Sequence, residues 1–175
     1  LPLAFSHPLV HFHICDHGCG RRDLTLNNMT DYGIRPALEA ESTQIKELIN
    51  LVGINPTGLD WKRFVVSANE RGQVIACGQI KPHGADIREL ASIAVHPDYR
   101  GQGLARAVSD MLLRENPKPL YFMCMSHNGP MYEKFGFRAI AYEEMPRYFQ
   151  RISKLAGLAT TLLQRDERLL VMKLQ

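Results

Sequence analysis

The chain has 175 residues, of which 45% are hydrophobic and 22% are charged. This composition excludes an intrinsically disordered protein, and the length is sufficient for one domain with a sizeable hydrophobic core. The formal charge of +3 and the isoelectric point near 8.7 suit an anionic ligand such as a nucleotide. They are too weakly basic to indicate a nucleic-acid-binding protein.

The four cysteines do not form a recognisable disulfide framework. Cys77 and Cys124 lie inside apolar runs, where a thiol behaves as a small hydrophobic group. A reducing, cytoplasmic location is therefore expected. No uninterrupted apolar stretch is long enough to span a bilayer, and the segment from Leu1 to Cys15 lacks the basic start of a signal peptide. We therefore expect no association with a membrane.

The first 28 residues lack a clean hydrophobic period, whereas the pattern becomes regular from Met29. We expect residues 1–28 to be an extension, disordered or introduced by cloning, and residues 29–175 to form the folded domain. The extension carries histidines and cysteines, which are side chains that bind zinc. Their spacing matches no common zinc finger, so we predict no metal site. These residues are His11, His13, Cys15, His17 and Cys19.

Hydrophobic periodicity predicts short strands that alternate with helices. Strands are expected at Tyr32–Ala37, Phe64–Ala68, Val74–Ile80, Leu90–Val95, Leu120–Met125, Phe137–Ala141 and Leu169–Leu174. Helices are expected at Ile45–Val52, Leu104–Leu112, Met131–Phe135 and Pro146–Leu163. An early hairpin and a later strand–helix–strand unit predict an α/β fold with a single mixed, mostly antiparallel sheet, a central βαβ crossover and flanking helices.

The strongest local signal is the segment Val95–Ala105, in which a strand leads into a glycine-rich turn that opens a helix. A helix N-terminus offers unpaired N–H groups to an anion, and glycines let a phosphate approach the backbone closely. Arg100 adds a positive charge. Gly101 and Gly103 do not extend to a full G-x-G-x-x-G, because residue 106 is Arg, and no Lys-Ser or Lys-Thr follows as in a P-loop. A plain strand-to-helix turn is the alternative interpretation.

This segment, together with Met131–Phe137, resembles the GNAT (GCN5-related) N-acetyltransferase superfamily. The family's first motif is Arg or Gln, two residues, Gly, one residue, and Gly or Ala, and Arg100, Gly103 and Ala105 fit it. The resemblance covers roughly residues 30–175 and is most specific over 89–137. One departure is Met125, which stands where many members carry an asparagine seven residues before their catalytic tyrosine.

The resemblance implies transfer of acetyl from acetyl-CoA to a primary amine, by direct attack in a ternary complex and without a metal. It implies that two strands splay apart and that backbone groups around Ile93, Ala94 and Val95 hold the pantetheine arm between them. Tyr132 becomes the acid that protonates the CoA thiolate, although a half-buried core tyrosine is the alternative. The pyrophosphate is cradled by the turn, which comprises Arg100, Gly101, Gln102, Gly103, Leu104 and Ala105.

The catalytic base is less well defined by the sequence. Glu89 begins the strand before the turn, where some family members carry a carboxylate. A glutamate of ordinary pKa, about 4.3, is a weak base, so Glu89 would need burial or a bridging water. A solvated surface glutamate is the alternative. His83 and His127 are rival bases, because histidine titrates near neutrality.

The acceptor remains open between a small amine or amino acid, a protein N-terminus and a lysine side chain. Arg147, Arg151 and Lys154 recur on one face of the last helix, which favours an acidic small molecule such as an acidic amino acid. A solvated basic face is the simpler interpretation. The rival function is a non-enzymatic module that binds acyl-CoA as a sensor, because a fold does not determine its function. Exposed strand edges often pair between subunits, so a homodimer is one of the oligomeric states that the sequence allows.

Overall fold

The computed structural model describes residues 33–162 and 168–175. Within them, seven strands form one sheet: β1 (Arg35–Pro36), β2 (Phe64–Ala68), β3 (Val74–Pro82), β4 (Arg88–Val95), β5 (Leu120–Met125), β6 (Arg138–Ala139) and β7 (Leu169–Leu174). The helices are α1 (Ser42–Leu51), α2 (Leu104–Glu115), α3 (Gly129–Glu133) and α4 (Arg147–Leu162). The strand order is β1-β2-β3-β4-β5-β7-β6.

All neighbouring strands are antiparallel except β4 and β5, which are parallel and are joined through α2. This arrangement confirms the predicted mixed, mostly antiparallel sheet with a central βαβ crossover. The predicted bounds of β2, β5 and β7 agree with the structure. The extension at 1–28, its His and Cys group, and Tyr32 lie outside the described residues.

The two strands at the sheet edges are shorter than predicted. Only Arg35–Pro36 of the first predicted strand and Arg138–Ala139 of the sixth pair with a neighbour. Each edge strand has one partner, so its length depends on how far the chain follows that partner rather than on its own apolar pattern. Phe137, just before the paired residues Arg138–Ala139, is almost fully buried in the core. Its apolar side chain therefore reflects core packing and not strand pairing.

The helices cover both faces of the sheet. Alternate side chains of β3, β4 and β5 point to opposite faces. On one face, Leu104, Val108 and Leu112 of α2 pack in a cluster with Leu90 and Phe122. We call this the α2 face. On the other face, α1 covers Cys77 and Ala94, and Phe149 of α4 packs with Tyr121. We call this the α4 face.

A β-bulge interrupts β4 in its middle. Cys77 pairs with Ala94 and Gln79 pairs with Ala91, so Gly78 alone lies opposite the two residues Ser92 and Ile93. Ser92 has a φ of +57°, in the left-handed region that is uncommon outside glycine. An extra residue in one strand bends that strand and increases its local twist. The bulge therefore turns the second half of β4 away from its original direction.

Gly78 is required by the packing of α2 against this bulge. A Cβ at residue 78 would lie 2.5 Å from Ile93 Cδ1 and 2.7 Å from Val108 Cγ1. We expect Gly78→Ala to reduce the free energy of unfolding by about 1–3 kcal/mol, the usual effect of overpacking. Denaturant unfolding checks this, with Gly157→Ala as the control. Residue 157 lies in α4 with open space around it, so there alanine is expected to be neutral or stabilising by up to about 1 kcal/mol. Equal effects of the two substitutions would contradict the packing argument.

Among the described helices, none is both long enough and apolar enough to cross a membrane.

Candidate functional site

The site begins where β4 and β5 separate. These two strands pair only at Glu89 with Tyr121 and at Leu90 with Phe122. Beyond these pairs, β4 continues along β3 to Val95, and β5 continues along β7 to Met125. The two strands therefore leave an opening between residues 91–95 and 123–125, which we call the β4–β5 cleft. The backbone of β4 has no sheet partner on this side among the described residues.

The residues predicted to hold an extended ligand arm line this cleft. Ile93 is the second residue of the bulge and packs on the α2 face, whereas Ala94 is buried against the α1 cluster. Val95 ends the strand and pairs with Ala76 of β3. Here β4 keeps β3 as its neighbour on one side, so the backbone N–H and C=O groups on its other side face the cleft, where the described residues supply no paired strand. These groups can hydrogen-bond an amide-containing chain laid between the strands.

The glycine-rich turn lies at the far end of the cleft. Gly101 and Gly103 have φ values of +76° and +80°, and Gly103 is the N-cap of α2. A residue with a Cβ would cost roughly 1–2 kcal/mol in this conformation. The first N–H groups of α2 have no partner within the helix, so they are available to an anion. Gln102 and Arg100 are exposed, Leu104 is anchored in the core, and Ala105 is half-buried.

The turn is held in place by contacts that the sequence did not indicate. His96 donates its backbone N–H to the Ile75 carbonyl at 2.8 Å, and its ring meets the edge of the Tyr99 ring at a centroid distance of 5.8 Å. The Tyr99 hydroxyl accepts a hydrogen bond from Asn69 Nδ2 at 3.1 Å. Asn69 belongs to the hairpin between β2 and β3. This hydrogen bond therefore ties the turn to the β2–β3 hairpin.

Tyr132 lies in α3 on the α2 face, next to the cleft. Its ring packs on Phe122 at a centroid distance of 3.7 Å, and only 7% of the residue is exposed. Burial raises the pKa of the phenol well above its usual range, and the neighbouring Cys124 raises it further. The hydroxyl therefore stays protonated at physiological pH. A cavity of about 110 Å³ between α2 and α3 connects Tyr132 with Ala105 and Ser109.

Glu89 and His83 form a buried pair on the α4 face. His83 Nε2 and Glu89 Oε2 are 2.5 Å apart, and 5% of Glu89 is exposed. Burial raises the pKa of the Glu89 carboxyl, and the hydrogen bond and charge of His83 and the charge of Lys81 act against this rise. The two residues that the sequence offered as rival bases are thus partners. The alternative of a solvated Glu89 is wrong.

Helix α4 covers this pair. Tyr148 stacks on the His83 ring at a centroid distance of 3.7 Å and an interplanar angle of 19°, and Phe149 meets the same ring edge-on. Both burial and the Glu89 charge raise the pKa of Tyr148. The aromatic cover shields the Glu89 carboxyl from bulk solvent, and this burial is the main physical cause of its raised pKa.

The remaining candidates lie at the surface. His127 is exposed in the turn after β5, where its Nε2 lies 2.9 Å from Asn128 Nδ2. Arg147, Arg151 and Lys154 are exposed on α4, as a solvated basic face requires. The Lys154 ammonium lies 5.6 Å from the centre of the Tyr142 ring, a cation–π distance.

Comparison with known proteins agrees with this geometry. The family model described as an acetyltransferase (GNAT) domain matches residues 60–139. A search of curated proteins returns no match. The chain is similar in structure to N-acetylglutamate synthase from Neisseria gonorrhoeae in complex with coenzyme A and N-acetyl-glutamate, with a TM-score of 0.63 and 20% identity. That similarity covers 82% of this chain and 35% of the synthase, so the chain spans about a third of that protein.

Two other solved structures match over most of their length. The protein Rv2747 from Mycobacterium tuberculosis, in complex with CoA and NLQ, gives a TM-score of 0.59 at 21% identity and covers 81% of this chain and 97% of that one. The ribosomal-protein-S18-alanine N-acetyltransferase from Escherichia coli gives 0.55 at 19% identity, with coverages of 81% and 91%. These likenesses show a shared fold, and the family model matches the strands and the turn of the candidate site. Residues 60–139 therefore match the GNAT acetyltransferase domain, and the chain shares its fold with the solved structures named above.

Proposed function

We propose that the chain transfers acetyl from acetyl-CoA to the primary amine of a small amino acid. The observation that carries this proposal is the β4–β5 cleft, which runs from the glycine turn to the buried Glu89. A pantetheine arm laid along the freed edge of β4 would leave its pyrophosphate at the N-terminus of α2. There the left-handed Gly101 and Gly103 present backbone N–H groups without steric obstruction.

Glu89 on the α4 face and Tyr132 on the α2 face are assigned different steps of the reaction. The neutral amine nitrogen attacks the thioester carbon, and a backbone N–H of β4 stabilises the oxyanion. As the C–N bond forms, Glu89, held by His83, accepts a proton from that nitrogen, directly or through a water molecule. As the carbon–sulfur bond breaks, Tyr132 on the other face donates a hydrogen bond or its proton to the thiolate.

Direct attack is favoured over an acyl-cysteine intermediate. Burial raises the pKa of the Cys77 thiol to about 12 and that of Cys124 to about 11. The thiolate is the nucleophilic form of cysteine, so neither of the two cysteines in the described part of the chain is a good nucleophile at physiological pH. A ternary complex of acetyl-CoA, amine and protein is therefore the simplest route.

An amino acid such as glutamate or glutamine is the proposed acceptor. The similar synthase was solved with N-acetyl-glutamate, which is the product type that such an acceptor yields. In this chain, Arg147 precedes the His83-stacking Tyr148 in the first turn of α4 and is exposed. It can pair with an acceptor carboxylate while the amine reaches Glu89.

A calorimetric titration with acetyl-CoA, beside ATP and NAD, tests the cofactor part of the proposal. We expect selective one-to-one binding of acetyl-CoA. Release of free CoA thiol in the presence of glutamate, glutamine, and an alanine-starting peptide then tests the acceptor. If CoA thiol is released with the peptide but with neither amino acid, the acceptor is a protein N-terminus. If acetyl-CoA binds but no amine gives release of thiol, the result supports a sensor. Failure to bind acetyl-CoA would reject the proposal.

Arg100→Glu is expected to weaken acetyl-CoA binding at least about tenfold, because it replaces a cation by an anion beside the pyrophosphate. The same titration measures this change. Arg114→Glu is the matched control, since Arg114 is exposed in the last turn of the same helix, roughly 15 Å from the turn at 1.5 Å per residue. Equal affinities of the two variants would show that the pyrophosphate does not lie at Arg100.

A further inference from the structure

A fully buried glutamine lies beside the proposed base without a complete set of hydrogen bonds. Gln79 in β3 is 0% exposed. Its Nε2 donates to Ser92 Oγ at 3.0 Å, whereas its Oε1 has no partner among the described residues. Buried polar atoms are nearly always hydrogen-bonded, because losing water without a replacement costs free energy. The free Oε1 therefore needs an explanation.

The strand register places Gln79 between the bulge and the base. Gln79 lies opposite Ala91, and Lys81 lies opposite Glu89. Residues two apart in a strand share a face, so Gln79 is a diagonal neighbour of Glu89 on the α4 face. On its other side, Ser92 starts the bulge that frees the β4 backbone for the thioester. Under the proposed function, an amine that reaches both the thioester and Glu89 must lie next to Gln79.

We propose that Gln79 is a positioning residue whose Oε1 accepts a hydrogen bond from an N–H group of the acceptor amine. This inference rests on the proposed function. A neutral primary amine has two N–H bonds and one lone pair. One N–H can point to Glu89 and the other to Gln79, which directs the lone pair at the thioester carbon. The nitrogen forms the new C–N bond, the C–S bond breaks with its electron pair on sulfur, Glu89 receives the amine proton, and the thiolate receives one from Tyr132.

The arrangement also selects the class of acceptor. A hydroxyl has a single O–H, which the base must take, so nothing is left to satisfy Gln79 Oε1. A site that leaves a buried polar group unpaired discriminates strongly against such an analogue. The bulge contributes to this selection, since Ser92 Oγ holds the Gln79 side chain by its nitrogen end and leaves the oxygen for the acceptor.

The test is Gln79→Met, which keeps the side-chain length and removes both polar atoms. We expect KM for the amine to rise at least tenfold while the Kd of acetyl-CoA stays within twofold. Gln175→Met, at an exposed glutamine near the chain end, is the control for the exchange itself. Full retention of the amine KM by an active Gln79→Met variant would overturn the proposal. Failure of the wild type to acetylate any amine would instead reject the proposed function.

Stability provides a second readout that does not need turnover. The double variant Gln79→Met/Ser92→Ala removes the hydrogen-bonded pair and the free oxygen together. If Gln79 is retained for a ligand, the unfolding midpoint without ligands should be equal to or higher than that of the wild type. A clear fall in this midpoint would mean that the pair serves the fold of the bulge, and it would overturn the proposal.

Discussion

Replacing Glu89 by glutamine is expected to lower kcat by about 10²–10⁴-fold, the usual contribution of a positioned acid or base. The substitution is nearly isosteric and keeps a hydrogen-bonding partner for His83, so the fold and the Kd of acetyl-CoA should not change. Steady-state kinetics with a saturating amine, beside a titration with acetyl-CoA, measure the two quantities. Unchanged kcat would remove Glu89 from the mechanism.

The pH profile connects this effect to the buried pair. The base must be ionised, so kcat/KM should rise with pH until the carboxyl has titrated, and burial places this limb above the range of an ordinary glutamate. His83→Leu removes the hydrogen bond and charge that lower the Glu89 pKa, so the limb should move to higher pH. His127→Leu, at an exposed histidine, should leave it in place. A limb that follows His127 instead would identify the other histidine as the base.

Replacing Tyr132 by phenylalanine is expected to reduce kcat at least tenfold, because the leaving thiolate loses its proton donor. The Phe122 contact uses the ring and not the hydroxyl, so folding and acetyl-CoA affinity should be preserved. Tyr142→Phe, in the turn before α4, serves as the control for loss of a phenol elsewhere. Full turnover by Tyr132→Phe would return this residue to the role of a core tyrosine.

Much of the fold could be predicted from local patterns. Leu120–Met125 and Leu169–Leu174 are apolar runs between breakers, and both form strands with those bounds. The place of β7 between β5 and β6 could not be predicted, because periodicity identifies a strand but not its neighbours. The bulge was equally hidden. Ser92 has no local signal for a positive φ, and only the register against β3 shows it.

In the candidate site, too, some residues could be recognised from local sequence, whereas others are brought together only by the fold. The glycine turn was recognisable because its chemistry lies in one continuous segment, and the structure places that segment at the N-terminus of α2. The pairing of Glu89 with His83 depends on the loop between β3 and β4, and their burial depends on Tyr148, which comes some sixty residues later in the chain. Gln79 had no sequence signal, since its importance comes from an oxygen that lacks a partner.

Tyr132 and Glu89 lie on opposite faces of the sheet. The sheet therefore separates them, and the β4–β5 cleft connects the two faces. Under the proposed function, the thiol donor is bound from the α2 face and the amine from the α4 face, and they meet only in the β4–β5 cleft. Neither ligand then blocks the path of the other. If the two ligands enter from these two faces, neither has to leave before the other can bind or depart.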